Sequence, residues 1–213
     1  MIISDRMVTF INSFDGGNSP FLEELARDAR AAGVPIIRRE MQSFLKVLLA
    51  MKRPERILEI GTAVGFSAIL MASCGAEGCQ ITTIEQYEKR IPAARRNIRE
   101  SGFSEQITLI EGDAAAVLPQ LTDPFDFIFM DAAKGQYPAF LGDCVRLLNP
   151  GGVLVSDNVL QEGDLIESHY LVERRNRTIY KRMRDYLYTL KHHPLLETAI
   201  VPVGDGVTVS VKK

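Results

Sequence analysis

Apolar and polar positions follow two periods along this chain. The first stretch is helical: Ser19-Pro20 has N-cap and first-turn chemistry, and the helix it opens stops at Gly33. A second helix follows Pro35, with Met41, Phe44, Leu45, Leu48 and Leu49 at helical spacing, and ends before Pro54. From there strand, turn and helix repeat. Strands are expected at 56–60, 80–85, 107–111, 125–131 and 153–157. The runs FDFIFM and VLVS are almost continuously apolar, as strands covered on both faces of a parallel sheet must be. Intervening helices fall at 67–74, 88–100, 114–121 and 137–148, and a long one near 168–191. The end, TAIVPVGDGVTVSV, gives two alternating runs around Gly204-Asp205-Gly206, a hairpin signal. The pattern predicts a doubly wound, mostly parallel α/β sheet of seven strands with an antiparallel C-terminal hairpin. Residues 1–53 supply N-terminal helices and 54–213 the core of one domain.

Composition narrows the partners. The chain has 213 residues, 46% hydrophobic and 24% charged, which suits one folded domain. A balance of 25 basic against 27 acidic residues gives a net charge of −2 and excludes nucleic-acid binding by global basicity, though not by a local face. Cys74, Cys79 and Cys144 include no Cys-x-x-Cys pair, so thiolate zinc is excluded and a reducing cytosol is expected. The start, MIISDRMVTFINSF, breaks any secretory apolar run with Asp5 and Arg6, and no stretch has the length of a membrane span. A cytoplasmic protein without a membrane partner is the expectation.

In a doubly wound sheet the ligand crevice lies at the carboxyl ends of the strands. The first strand delivers ILEIGTAVGFSA, where Gly61 and Gly65 permit a tight turn and Ser67 sits in the first turn of the next helix. Phe66 follows the second glycine where a triphosphate loop needs lysine. Glu85 closes the second strand, 20 residues after Gly65, where a carboxylate accepts from ribose hydroxyls. Asp113 follows the third strand in EGDA, suited to an adenine edge or to a helix N-cap. The fourth and fifth strands end in MDAAK and SDN, which puts Asp131, Asp157 and Asn158 on adjacent tips. Two carboxylates and an amide suit a hard cation such as Mg²⁺, Mn²⁺ or Ca²⁺; the same residues also make ordinary turns and caps. Lys134, three residues past Asp131, can project into the same crevice.

EIGTAVGFSA, TIE, EGDA, FMDAAKGQY and VSDNVL together resemble the cation-dependent O-methyltransferases of the catechol and caffeoyl-CoA type, which use S-adenosylmethionine on a Rossmann-like fold. The resemblance implies that Glu59, Gly61, Gly65, Ser67 and Glu85 face that cofactor, with Asp113, Ala114, Asp131 and the backbone near Ile37. It implies Asp131, Asp157 and Asn158 as metal ligands, and Lys134 as the base, with Asp131 beside it. Such chemistry asks for a hydroxyl next to a second oxygen, as in catechols or 5-hydroxyuridine.

One further pattern bears on the acceptor. Between Glu173 and Arg184 lie six basic residues, and on a helix Arg174, Arg177, Lys181 and Arg184 share the face opposite Ile179, Met183, Tyr186, Leu187 and Leu190. That stripe is either a solvated face or a phosphate-contacting one. The C-terminal third, with ERRNRTIYKRMRDY and HHP, is similar to the bacterial tRNA 5-hydroxyuridine methyltransferases, which act at the anticodon wobble position. That resemblance implies a tRNA anticodon loop as partner and a homodimer; a small vicinal-oxygen metabolite is the alternative acceptor. His169 is a further candidate for substrate contact, whereas His192-His193 reads as a helix end.

Overall fold

The computed structural model describes residues 3–168, 170 and 172–213; His169 lies outside them. Three helices lead: α1 (Asp5–Asn12), α2 (Pro20–Ala31) and α3 (Arg39–Lys52). Then come β1 (Arg56–Ile60), α4 (Phe66–Cys74), β2 (Gln80–Glu85), α5 (Ile91–Glu100), β3 (Ile107–Glu111) and α6 (Ala114–Val117). The chain continues through β4 (Phe125–Met130), α7 (Tyr137–Leu147), β5 (Leu148–Ser156), α8 (Arg177–His192), β6 (Leu196–Val201) and β7 (Val207–Lys212).

All seven strands join one sheet in the order β3-β2-β1-β4-β5-β7-β6. Neighbours from β3 to β5 are parallel, and the hairpin strand β7 runs antiparallel to β5 and β6. Strand order reverses between β1 and β4, the place where a doubly wound sheet opens a crevice. Two apolar layers sandwich the sheet. Phe127 and Phe129 of β4 pack on the α2–α3–α4 side, whereas Ile128 and Met130 face α7 and α8. That two-sided burial is why FDFIFM carries no polar alternation in its last four positions.

The structure departs from the sequence expectation at four places. α1 was not expected; Ser4 caps it, and it has no buried residue, so no core stripe announced it. β5 starts at Leu148 rather than 153, its pairing with β4 shifting register between Phe125 and Phe127 before the Gly151-Gly152 turn is absorbed. The helix expected at 114–121 is one α turn followed by a 3₁₀ turn at Leu118–Gln120, where Pro119 cannot donate. The long helix begins at Arg177, not 168. The residues before it form 3₁₀ turns, Gln161–Ile166 and Arg174–Asn176. Side chains of α8 hold that lead-in: Tyr180 Oη donates to the Glu167 carbonyl at 3.2 Å and Arg184 Nη1 to that of Leu165 at 3.4 Å.

Candidate active site

The ladder of the sheet continues one residue past several strand ends and so fixes the tips side by side. Gly61 N donates to Ile84 O, Gly112 N to Glu85 O, Asp131 N to Ile60 O and Asp157 N to Met130 O, each at 2.9–3.0 Å. A cavity of about 620 Å³ opens above these tips. Its wall includes Ile37, Gly61, Ser67, Glu85, Asp113 and Ala114 together with Asp131, Lys134, Asp157 and Asn158. Residues separated by up to 170 positions in sequence, from Pro35 to Asp205, therefore meet around one space.

Local backbone explains the glycine loop. Gly61 and Gly65 have φ of +106° and +88°, which L side chains rarely adopt, and Gly65 forms the N-cap of α4. Gly65 does not line the cavity; it packs toward Ile98 of α5. Glu59 is also set back, fully buried beneath the loop, where it accepts from the Thr83 hydroxyl. Burial pushes its carboxyl up to about 7, with the Ser67 and Thr83 hydroxyls opposing part of the rise.

Glu85 and Asp113 already have partners. Glu85 Oε2 accepts from Ala63 N at 2.7 Å and Oε1 from Tyr87 N at 2.8 Å, so the carboxylate braces the glycine loop while keeping further lone pairs for a ligand. Asp113 caps α6, accepting from Ala115 N at 2.9 Å, and lines the cavity as well. The Ile37 carbonyl takes the buried Gln42 amide at 2.8 Å.

Past the ends of β4 and β5, Lys134 Nζ lies 3.2 Å from Asp131 Oδ1, and Asn158 Nδ2 lies 3.4 Å from the same oxygen. Asn158 sits at φ +56°, a left-handed conformation asparagine tolerates, which turns the chain sharply after β5. Asp157 is buried, and its Oδ1 accepts from Asn158 N at 2.7 Å. Burial and the charge of Asp131 push the Asp157 carboxyl well above the ordinary aspartate range, and Lys134 opposes them. Among the described residues no three His, Cys, Asp or Glu gather to hold a metal; the set here is two acids and an amide. A buried carboxylate within the field of a second one, with an amide whose half-turn rotation presents its oxygen, fits a hard divalent cation.

Two cavity residues escaped the sequence reading. Arg38, just before α3, pairs with Asp205 at 2.8 Å across the cavity rim. Asp205 looks like a turn residue in the sequence, yet hydrogen bonds from Val159 and Leu160 to the Gly206 and Asp205 carbonyls dock that turn beside the Asp157 loop. Its charge contributes to the raised carboxyl of Asp157.

The basic stripe is only partly one helix face. Arg174 lies in the 3₁₀ turn ahead of α8. Arg177 Nε donates to the Val172 carbonyl at 3.1 Å, and Arg184 Nη1 to Tyr180 Oη at 2.9 Å. Lys181 is exposed. A second hollow of about 440 Å³ is lined by Arg177, Thr178, Lys181, Arg182 and Asp185. His192 Nδ1 stands 2.8 Å from the Tyr188 carbonyl at the helix end.

Comparison with known proteins settles the family. The O-methyltransferase family model matches residues 12–213. This chain belongs to that O-methyltransferase family. A catechol O-methyltransferase of Mycobacterium tuberculosis is 33% identical over 199 residues, covering 92% of this chain and 88% of that one. The match to a catechol O-methyltransferase of Niastella koreensis is shorter, 34% identical over 65% of each chain. The crystal structure of a Bacillus cereus O-methyltransferase in complex with SAH superposes with a TM-score of 0.86 at 27% identity, over 98% of this chain and 97% of that one. Among the described residues, no helix of this O-methyltransferase is long and apolar enough to cross a membrane.

Proposed function

We propose that this enzyme methylates one of two vicinal oxygens on its acceptor, using S-adenosylmethionine and a divalent cation, Mg²⁺, Mn²⁺ or Ca²⁺. The observation that carries the reading is the meeting of Asp131, Lys134, Asp157 and Asn158 around the same cavity as the Gly61 loop and Glu85. When bound, the cofactor supplies a methyl group already activated by its sulfonium, and the cation supplies charge that favours the ionised acceptor hydroxyl. Glu85 and Asp113 bind the nucleoside part of the cofactor, and Ser67 and the α4 N-terminus lie at its other end. Asp131, Asp157 and Asn158 hold the cation. Lys134 takes the acceptor's proton.

For the acceptor we infer 5-hydroxyuridine at the wobble position of a tRNA anticodon loop, whose 5-hydroxyl adjoins the 4-carbonyl. The support is the basic hollow on α8 and its connection to the site: Arg182 Nη1 donates at 3.2 Å to the carbonyl of Gly135, next to Lys134. An unpaired loop base costs little to insert into a pocket. The second reading, a catechol-like or caffeoyl-CoA-like metabolite, is supported by the activities named for the relatives. We further infer a cytoplasmic homodimer, for which the exposed Phe10 and Phe14 of the N-terminal segment offer an apolar face. The deciding experiment is methyl transfer from labelled S-adenosylmethionine to tRNA pools from cells with and without this protein, and to 3,4-dihydroxybenzoate. Labelling of the deficient pool alone supports the tRNA acceptor. Turnover of the catechol with neither pool labelled overturns it in favour of the metabolite.

A further inference from the structure

We propose that Tyr137 is a positioning residue that fixes where Lys134 Nζ stands against the acceptor. The proposal rests on the reading of Lys134 as the group that takes the acceptor's proton. Tyr137 opens α7, is wholly buried, and is clamped on three sides. Its Oη lies 3.1 Å from the Met130 carbonyl and 3.0 Å from the Asp157 carbonyl, both acceptors. The phenol has one proton, and these two carbonyls claim it. What remains toward Lys134 Nζ, 3.2 Å away, is an oxygen lone pair.

The consequence for the lysine is positional. Tyr137 Oη accepts from Lys134 Nζ at 3.2 Å, and so does Asp131 Oδ1 at 3.2 Å. The nitrogen is thus held between two fixed partners on the wall of the cavity that Lys134 lines. The ring itself is locked edge-to-face against Tyr186, centroids 5.5 Å apart, and Tyr186 is tied to Ser156 Oγ at 2.6 Å. A serine two residues before Asn158 on β5 thus helps anchor the ring that aims Lys134.

The test is a double-mutant cycle of Tyr137→Phe and Lys134→Ala. It uses the full-length protein with S-adenosylmethionine, Mg²⁺ and whichever of 3,4-dihydroxybenzoate and a 5-hydroxyuridine anticodon stem-loop the wild type turns over. Tyr137→Phe is expected to lower kcat about 10-fold, a fraction of what a general base supplies, with KM and cofactor Kd within about 2-fold. In the Lys134→Ala background the same change is expected to cost less than about 2-fold, because the group it aims is gone. Equal losses in both backgrounds overturn the proposal and assign Tyr137 to support of the strand tips alone. A Lys134→Ala variant as fast as wild type, or no turnover of either acceptor by wild type, instead overturns the reading of the site and the proposal with it. If the Phe variant does not fold, 3-fluorotyrosine at position 137 keeps the hydroxyl, weakens it as an acceptor and carries the same cycle.

Discussion

Gly61 stands so close to Asp131 that a Cβ added to it would come within 2.3 Å of the Asp131 main-chain oxygen. The first residue past β1 and the first past β4 are thus in backbone contact, and no side chain fits between them. With φ at +106°, Gly61→Ala meets both a clash and a disfavoured backbone. The expected cost is about 3 kcal/mol of stability, a fall in melting temperature of about 10 °C for a chain of this size. Cofactor affinity should fall too, since relief of the clash moves the loop that Glu85 braces. A melting curve unchanged from wild type would show that the two tips can separate freely.

Asp157 and Glu85 line the cavity from β5 and β2, strands separated by β1 and β4, so metal and cofactor binding should separate by mutation. Asp157→Ala is expected to lower turnover about 10³-fold or more, while the Kd for S-adenosylmethionine stays within about 3-fold by calorimetry. Chelation of divalent ions should abolish turnover by the wild type, and added Mg²⁺ should restore it. Turnover that survives thorough chelation would remove the cation from the mechanism.

Much of this site was legible because strand ends are marked by changes of residue type. The apolar run of β4 breaks at Asp131, that of β5 at Asp157, and the sheet order then brings those tips together. Glu85 was equally visible at the end of β2, although its bonds to Ala63 and Tyr87 were not, since they depend on loop conformation. Arg38 and Asp205 left no such mark. Their pairing requires the C-terminal hairpin to fold back over the end of β5, a contact 167 residues apart in the chain. The start of α8 was misplaced for a different reason. The polar stretch before it continues the charged composition of the helix, and only side-chain bonds from Arg177, Tyr180 and Arg184 show that it is folded as separate turns.

Glu59 should leave its trace in the pH dependence of stability. Its carboxyl ionises at about 4.5 when exposed and at about 7 when buried in the fold, so between those values the native state holds a proton that the unfolded chain has released. Its stabilising share is complete below about pH 4.5 and is lost as pH rises through 7. The shift corresponds to something on the order of 3 kcal/mol. Urea midpoints of the cofactor-free protein should therefore fall across this window, and Glu59→Gln, which cannot ionise, should flatten that part of the slope. Parallel pH profiles for the two proteins would mean the Glu59 carboxyl is not desolvated as the fold implies.

The basic residues around α8 divide into two groups with different expected phenotypes. Arg177 and Arg184 hold main-chain carbonyls of the lead-in segment, at Val172 and Leu165. Replacing either by Ala should cost about 1 kcal/mol of stability. Lys181 and Arg174 are exposed. If anticodon-loop phosphates lie along this surface, Lys181→Ala with Arg174→Ala should weaken RNA binding and reduce the slope of log K against log salt by nearly 2, leaving the melting temperature unchanged. Fluorescence anisotropy of a labelled anticodon stem-loop across a salt series measures that slope directly. The same slope in wild type and double variant would move RNA off α8, and the acceptor would then have to be recognised within the cavity alone, as a small catechol would be.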